Sequence, residues 1–334
     1  MRPLTLVLAA ILPATAAAAD YGLRAEAATG FDTNPLRETN EAQPAAYLGA
    51  VVEGRVDARD ERGTLQGTAS IGGRVFERTP DANVLATRLE GAGALSLGGD
   101  AELTASAQVR DLSEQGGVRS ETGGLVDVGG AIGLGRVRLS LTGGFAASAP
   151  RALSLESFRS LGPVVTLAAL WEPGARNSIR AAIDGRVLEF PRWTSERTDR
   201  ALGTRVEWTW RGPVVLALGW TFEANHSTAQ GGDFLRNRIV AQVAAPLPSG
   251  FSIALQGSLQ RSYYPDGFYA DQKALLALND EQQNAIELRL SRPLGNQLEI
   301  AVKAAAYASE MSGGAGRVPY ERELVQIGIG WRGE

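Results

Sequence analysis

The chain predicts an all-β fold, a transmembrane antiparallel up-and-down β-barrel of about 16 strands, with roughly 14 to 18 the range its boundaries allow. Three observations predict it. Apolar and polar residues alternate with period two through nearly all of the chain after residue 20. The connections between alternating segments are by turns short and long. Aromatic residues gather toward the ends of the apolar faces.

Residues 1–19 read as an export signal. Met1-Arg2 supplies a short basic start, Leu4 to Leu12 an apolar core, and Ala17-Ala18-Ala19 a small-residue cleavage site before Asp20. The apolar run is too short for a spanning helix, which needs about 20 residues. Residues 20–334 are then one barrel domain, exported toward a bacterial outer membrane.

Sixteen alternating segments follow, at about 21–32, 45–58, 64–77, 84–97, 101–112, 124–134, 136–146, 158–171, 178–190, 200–210, 214–225, 234–245, 251–263, 283–292, 297–307 and 320–331. From Val214 to Asn225, for example, Leu216, Leu218, Trp220 and Phe222 share a face, and Ala217, Gly219, Thr221 and Glu223 share the other. Short turns such as Gly98-Gly99-Asp100 and Leu294-Gly295-Asn296 alternate with long polar loops such as 33–44 and 264–282. Strands of about ten residues cross a bilayer when tilted. A closed sheet leaves no backbone group without a partner in lipid.

The charge on the polar face separates this pattern from a soluble sandwich, whose core could not hold Arg180, Asp184 and Arg186 on one side of a single segment. Aromatics at the ends of the apolar face form two girdles. Trp171, Trp208, Trp210, Trp220, Phe251 and Trp331 make up the membrane girdle, most of them toward the short-turn end. Phe31, Phe145, Phe190 and Phe222 lie toward the long-loop end.

Composition narrows function. The 334 residues include no Cys and one His, which excludes disulfides, thiolate sites and multi-His metal centres. No cofactor or metal is expected. A net charge of −4 gives no sign of nucleic-acid binding. His226 is followed by Ser227. Adjacent strand residues point to opposite faces, so the pair does not form a nucleophile and its base.

The expected lining of the lumen is basic at Arg55, Arg74, Arg88, Arg138, Arg180, Arg186, Arg205, Arg236, Arg238 and Arg289. It is acidic at Glu53, Glu90, Asp127, Asp184, Glu207 and Glu287. Two readings stand. These charges line a solute path in which Arg grips oxyanions through its fork, or they pair across strands and fill the interior. Gly129, Ala131, Gly133 and Gly219 give either open space or relief of curvature. Loop 264–282, with a helix-period stretch from Ala270 to Gln283, reads as a lid or as an ordinary outer loop.

The first segment ends Gly30-Phe31-Asp32-Thr33-Asn34-Pro35-Leu36-Arg37. This resembles the aromatic-Asp-x-Asn opening of proteobacterial outer-membrane barrels of the β-barrel porin 2 type, relatives of which are associated with exopolysaccharide secretion. The last segment, Val325, Ile327, Ile329 and Trp331, resembles the C-terminal recognition strand of outer-membrane proteins, although Arg332-Gly333-Glu334 follow the aromatic. The resemblance implies outer-membrane lipid and the barrel-assembly machinery as partners. The expected activity is a porin-like channel, not an enzyme, for export or uptake of an anionic or polysaccharide-like solute. The alternatives are a plugged structural or adhesion barrel whose outer loops bind partners and, less favoured, a rim lipid hydrolase. Oligomeric state is open.

Overall fold

Period-two alternation with almost no helical pattern leaves the backbone one way to satisfy its polar groups beside an apolar exterior, which is pairing from strand to strand until the sheet closes. The computed structural model describes residues 19–36, 42–116, 120–151, 158–191, 196–229, 232–265, 284–308, 311–313, 316–318 and 321–333. The expected export signal, except Ala19, and nearly all of the expected lid lie outside these.

The barrel strands are β1 (Ala19–Asp32), β2 (Ala45–Arg59), β3 (Gly63–Phe76), β4 (Val84–Gly98), β5 (Ala101–Glu114), β6 (Glu121–Leu134), β7 (Val137–Pro150), β8 (Ser160–Gly174), β9 (Asn177–Phe190), β10 (Arg197–Arg211), β11 (Val215–Ser227), β12 (Phe234–Pro246), β13 (Ser252–Tyr264), β14 (Asn284–Pro293), β15 (Leu298–Ala308) and β18 (Glu321–Gly333). Each pairs antiparallel with the next, and β18 pairs with both β15 and β1, closing a 16-stranded barrel. At the seam Leu23 lies opposite Gly333 and Asp32 opposite Leu324.

Turn chemistry explains the short end. The β2–β3 turn is held by Asp60, whose Oδ1 accepts from the amides of Arg62 and Gly63, both at 2.8 Å. The β4–β5 turn needs two left-handed residues, supplied by Gly98 (φ 96°) and Gly99 (φ 61°).

The long-loop end holds a repair that period two does not reveal. β13 runs on to Tyr264, past its last pairing with β14 at Ser258 and Ala285. The uncovered edge at Ser262–Tyr264 pairs in parallel with β16 (Met311–Gly313), which in turn pairs with β17 (Gly316–Val318). This hairpin comes from the β15–β18 loop and blunts an open sheet edge.

The pairing register assigns the two faces. Leu89, Leu167, Ile183, Leu218, Ile239, Leu259 and Ile327 belong to the outward set, and all are largely exposed. Among the described residues, charged members of that set occur only near strand ends, at Asp111, Glu189, Arg200, Arg261, Glu321 and Glu323 toward the long loops and Arg292 toward the short turns. An uncharged apolar exterior of this kind suits a hydrocarbon layer.

Candidate solute path

The inner face is the face opposite that belt. The register places there Glu53 and Arg55 of β2, Arg74 of β3, Arg88 and Glu90 of β4, and Asp127 of β6. Arg138 of β7, Arg180, Asp184 and Arg186 of β9, and Arg205 and Glu207 of β10 join them. Arg236 and Arg238 of β12 and Glu287 and Arg289 of β14 complete the set. The Trp residues of the expected girdle lie on the outward face. Trp208 and Trp210 stand in the lower part of β10, whereas Trp220 stands farther from the short turns, stacked against Phe222 at 6.5 Å. Phe251 lies in the β12–β13 turn under the Arg292 guanidinium, 5.1 Å from the ring centroid.

Phe190 corrects the outer girdle. It shares the inward parity of Arg186, is buried, and carries the Arg197 guanidinium 4.2 Å from its ring centroid. Its position near a strand end placed it with the girdle, but its even-numbered place on β9 turns it inward.

Much of the inner charge is paired. Glu26 accepts from Arg24 and Arg289, both at 3.3 Å, and Arg289 also reaches Glu299 at 2.8 Å, which holds Arg332 at 3.1 Å. Glu287 pairs with Lys303 at 2.6 Å and accepts from the Tyr307 hydroxyl at 2.8 Å. Arg55 pairs with Asp57 and Arg88 with Glu90, both at 2.5 Å, and Arg138 pairs with Glu102. Glu223 of β11 joins Arg186 of β9 to Arg236 of β12. Among the described residues Arg74, Arg180, Arg205 and Arg238 make no ion pair, nor do Glu53, Asp184 and Glu207; Arg74 instead lies 5.3 Å from the Tyr47 ring centroid.

Small residues shape the wall in two ways. A Cβ at Gly129 would collide with the Leu141 carbonyl, so this glycine permits close backbone approach, whereas the nearest atom to a Cβ at Gly219 would lie 3.9 Å away. A recess of about 360 Å³ is lined by Gln108, Arg110, Gly123, Ala146, Ser160 and Arg186, among others. The register explains its floor, because Arg110, Gly123, Ser148 and Ser160 follow one another on consecutive strands and the middle members carry little bulk.

The long-loop end is packed. Tyr47, Phe76 and Leu324 form a buried cluster with Ala45, Ala82 and Ala305, with Leu36 and Tyr307 against it. Two ion pairs are buried there, Arg322 with Asp32 at 2.5 Å and Arg197 with Asp199 at 2.7 Å. The Asp32–Arg322 pair is not legible in the sequence as a contact, since its members meet only when the barrel closes. The 199–227 region also settles the geometry of His226. Its Nδ1 lies 3.2 Å from Asp233 on the outward side, while the Ser227 hydroxyl donates to Asp199 at 2.6 Å on the inward side.

The architecture is similar to solved outer-membrane proteins. OmpF of Salmonella typhi, in complex with daunomycin, aligns over 94% of this chain and 97% of its own, at 12% identity and a TM-score of 0.51. An anion-selective porin from Comamonas acidovorans aligns over 95% and 100%, at 12% identity and a TM-score of 0.49. A bacterial polysaccharide outer membrane secretin aligns over 94% and 98%, at 8% identity and a TM-score of 0.45. No family model and no curated protein matches the sequence. What is shared is the fold, a closed antiparallel β-barrel.

Proposed function

We propose that the protein is an outer-membrane channel that conducts small solutes through its charged interior. One observation carries the reading: a closed 16-stranded barrel puts an apolar belt, uncharged away from the strand ends, outside and a dense, partly unpaired set of charges inside. About sixteen strands enclose enough width for water. Outer-membrane lipid covers the exterior, and the barrel-assembly machinery inserts the exported chain. The solute class we favour is anionic or polysaccharide-like, because Arg forks bind oxyanions bidentately and paired inner charges orient polar groups.

A plugged barrel is the second reading, favoured by the buried cluster around Tyr47, Phe76 and Leu324 inside the long-loop end. Planar-bilayer recording of the purified protein decides between them. Stable unit conductance is expected. Its absence over many verified insertions assigns the barrel a structural or adhesive role instead.

A further inference from the structure

Arg238 makes no ion pair among the described residues, and its Nε has no hydrogen-bond partner. It stands on β12 opposite Thr221 of β11, which in turn stands opposite Arg205 of β10. Neighbouring strands are about 4.8 Å apart, so the two Arg backbones lie roughly 10 Å apart with a threonine between them. Arg236 projects from the same face of β12, two residues away.

The carboxylates of the region are placed elsewhere. Glu223 is engaged by Arg186 and Arg236. Asp184 lies over Gly203, and Glu207 stands opposite Arg180 and Gly219; neither is within ion-pairing distance of an arginine. The Nε of Arg238 is buried without a hydrogen-bond partner. So is Oε1 of Gln260, which lies directly across β13 from it.

A guanidinium cannot shed its proton to relieve repulsion. Arg205 and Arg238, facing each other across Thr221 and making no ion pair among the described residues, are stabilised by an anion placed between them. We propose that Arg205 and Arg238, with the Thr221 hydroxyl between them, form a station for a small oxyanion on the inner wall over β10–β12. Carboxylate, sulfate and phosphate share the required chemistry: two or more oxygens that accept from guanidinium forks and a hydroxyl. The station deepens the channel reading, and its effect on permeation rests on that reading. Anions would dwell there and cations would be repelled.

The test has two arms. In detergent, line broadening of the inorganic phosphate signal in phosphorus NMR measures binding to the intact barrel. Competition by sulfate and by acetate ranks the oxyanions. Arg238→Gln and, separately, Arg205→Gln are expected to weaken binding about tenfold, Arg238→Lys less than Arg238→Gln, and Arg292→Gln on the exterior not at all. In bilayers, the reversal potential in a potassium chloride gradient is expected to shift severalfold toward potassium in either Gln variant. Phosphate binding equal in wild type and both Gln variants overturns the station, even if the barrel conducts. Binding that the variants abolish, in a barrel that never conducts, upholds the station and removes the channel reading.

Discussion

Arg322 of the last strand grips Asp32 of the first through both carboxylate oxygens, with Nε 3.0 Å from Oδ1 and 2.9 Å from Oδ2, and neither residue is open to water. The residues after Asp32 continue the clasp. The Thr33 amide donates to the Glu323 carbonyl at 2.9 Å, the Glu323 amide donates to the Thr33 hydroxyl at 2.8 Å, and the Asn34 side chain donates to the Glu321 carbonyl at 3.1 Å. The aromatic-Asp-x-Asn segment thus clamps the one seam of the barrel that joins residues almost 300 positions apart in the chain. Removing one partner of a buried pair typically costs about 3–5 kcal/mol, because the other charge is left uncompensated. Asp32→Ala and Arg322→Ala should each lower stability by that order, and the double variant by less than their sum. Urea unfolding in micelles, read by heat-modifiable gel mobility, measures it. Unchanged midpoints in both single variants would show that the seam holds without the clasp.

The belt can be probed where charge never occurs. Ile183 and Ile239 lie on the outward face, well inside their strands and 52% and 48% exposed. Arginine facing lipid near the bilayer midplane costs about 2–4 kcal/mol and far less near the interface. Ile183→Arg should therefore destabilise the barrel by that amount in lipid vesicles, and Leu97→Arg, one residue from the β4–β5 turn, by less than half as much. Equal costs at the two depths would argue against this placement of the belt.

Curvature is stored at particular glycines. A Cβ at Gly162 would run into the Val187 carbonyl, whereas one at Gly143 meets nothing within 4 Å. Overpacking of this kind typically costs about 1–3 kcal/mol. Gly162→Ala should lower the unfolding midpoint and the refolding yield, and Gly143→Ala should leave both near wild type. The pair of variants separates a backbone requirement from the general loss of glycine flexibility.

These particulars show what a single sequence makes legible. The strands, their number and their two faces follow from period two, because one side of every strand meets lipid and the other meets charge. The β1–β18 clasp does not follow, since closure brings together residues from opposite ends of the chain and periodicity carries no information about partners. The β16–β17 hairpin is missed for a related reason: its strands are three residues each, too short for alternation to register. Phe190 shows a different failure, in which proximity to a strand end outweighed the parity that Arg180, Asp184 and Arg186 had already set. The same parity, applied to Tyr47, Phe76 and Tyr307, would have found the inward aromatic cluster.

His226 and Ser227 separate an exposed neighbour from a buried support. His226 is largely exposed beside Asp233, while the Ser227 hydroxyl is buried against Asp199, itself paired with Arg197. His226→Ala is expected to leave stability and any phospholipid turnover by the purified barrel unchanged. Ser227→Ala leaves a buried carboxylate short of one donor, at a cost of about 1–3 kcal/mol. Loss of lipid turnover in His226→Ala would restore the rim-hydrolase reading.

Glu223 of β11 holds together two arginines from two other strands, Arg186 from β9 and Arg236 from β12. Glu223→Gln keeps the shape and removes the charge. Two guanidinium groups then face the interior without their shared counterion, and an arginine cannot neutralise itself. The variant should be less stable than wild type at low salt and recover as salt or phosphate is added, since an external anion takes the place of the carboxylate. In bilayers its reversal potential should move toward chloride, opposite in sign to the shift expected of Arg238→Gln. A shift of the same sign in both variants would mean that the inner charges act only through packing and not through the field they set in the path.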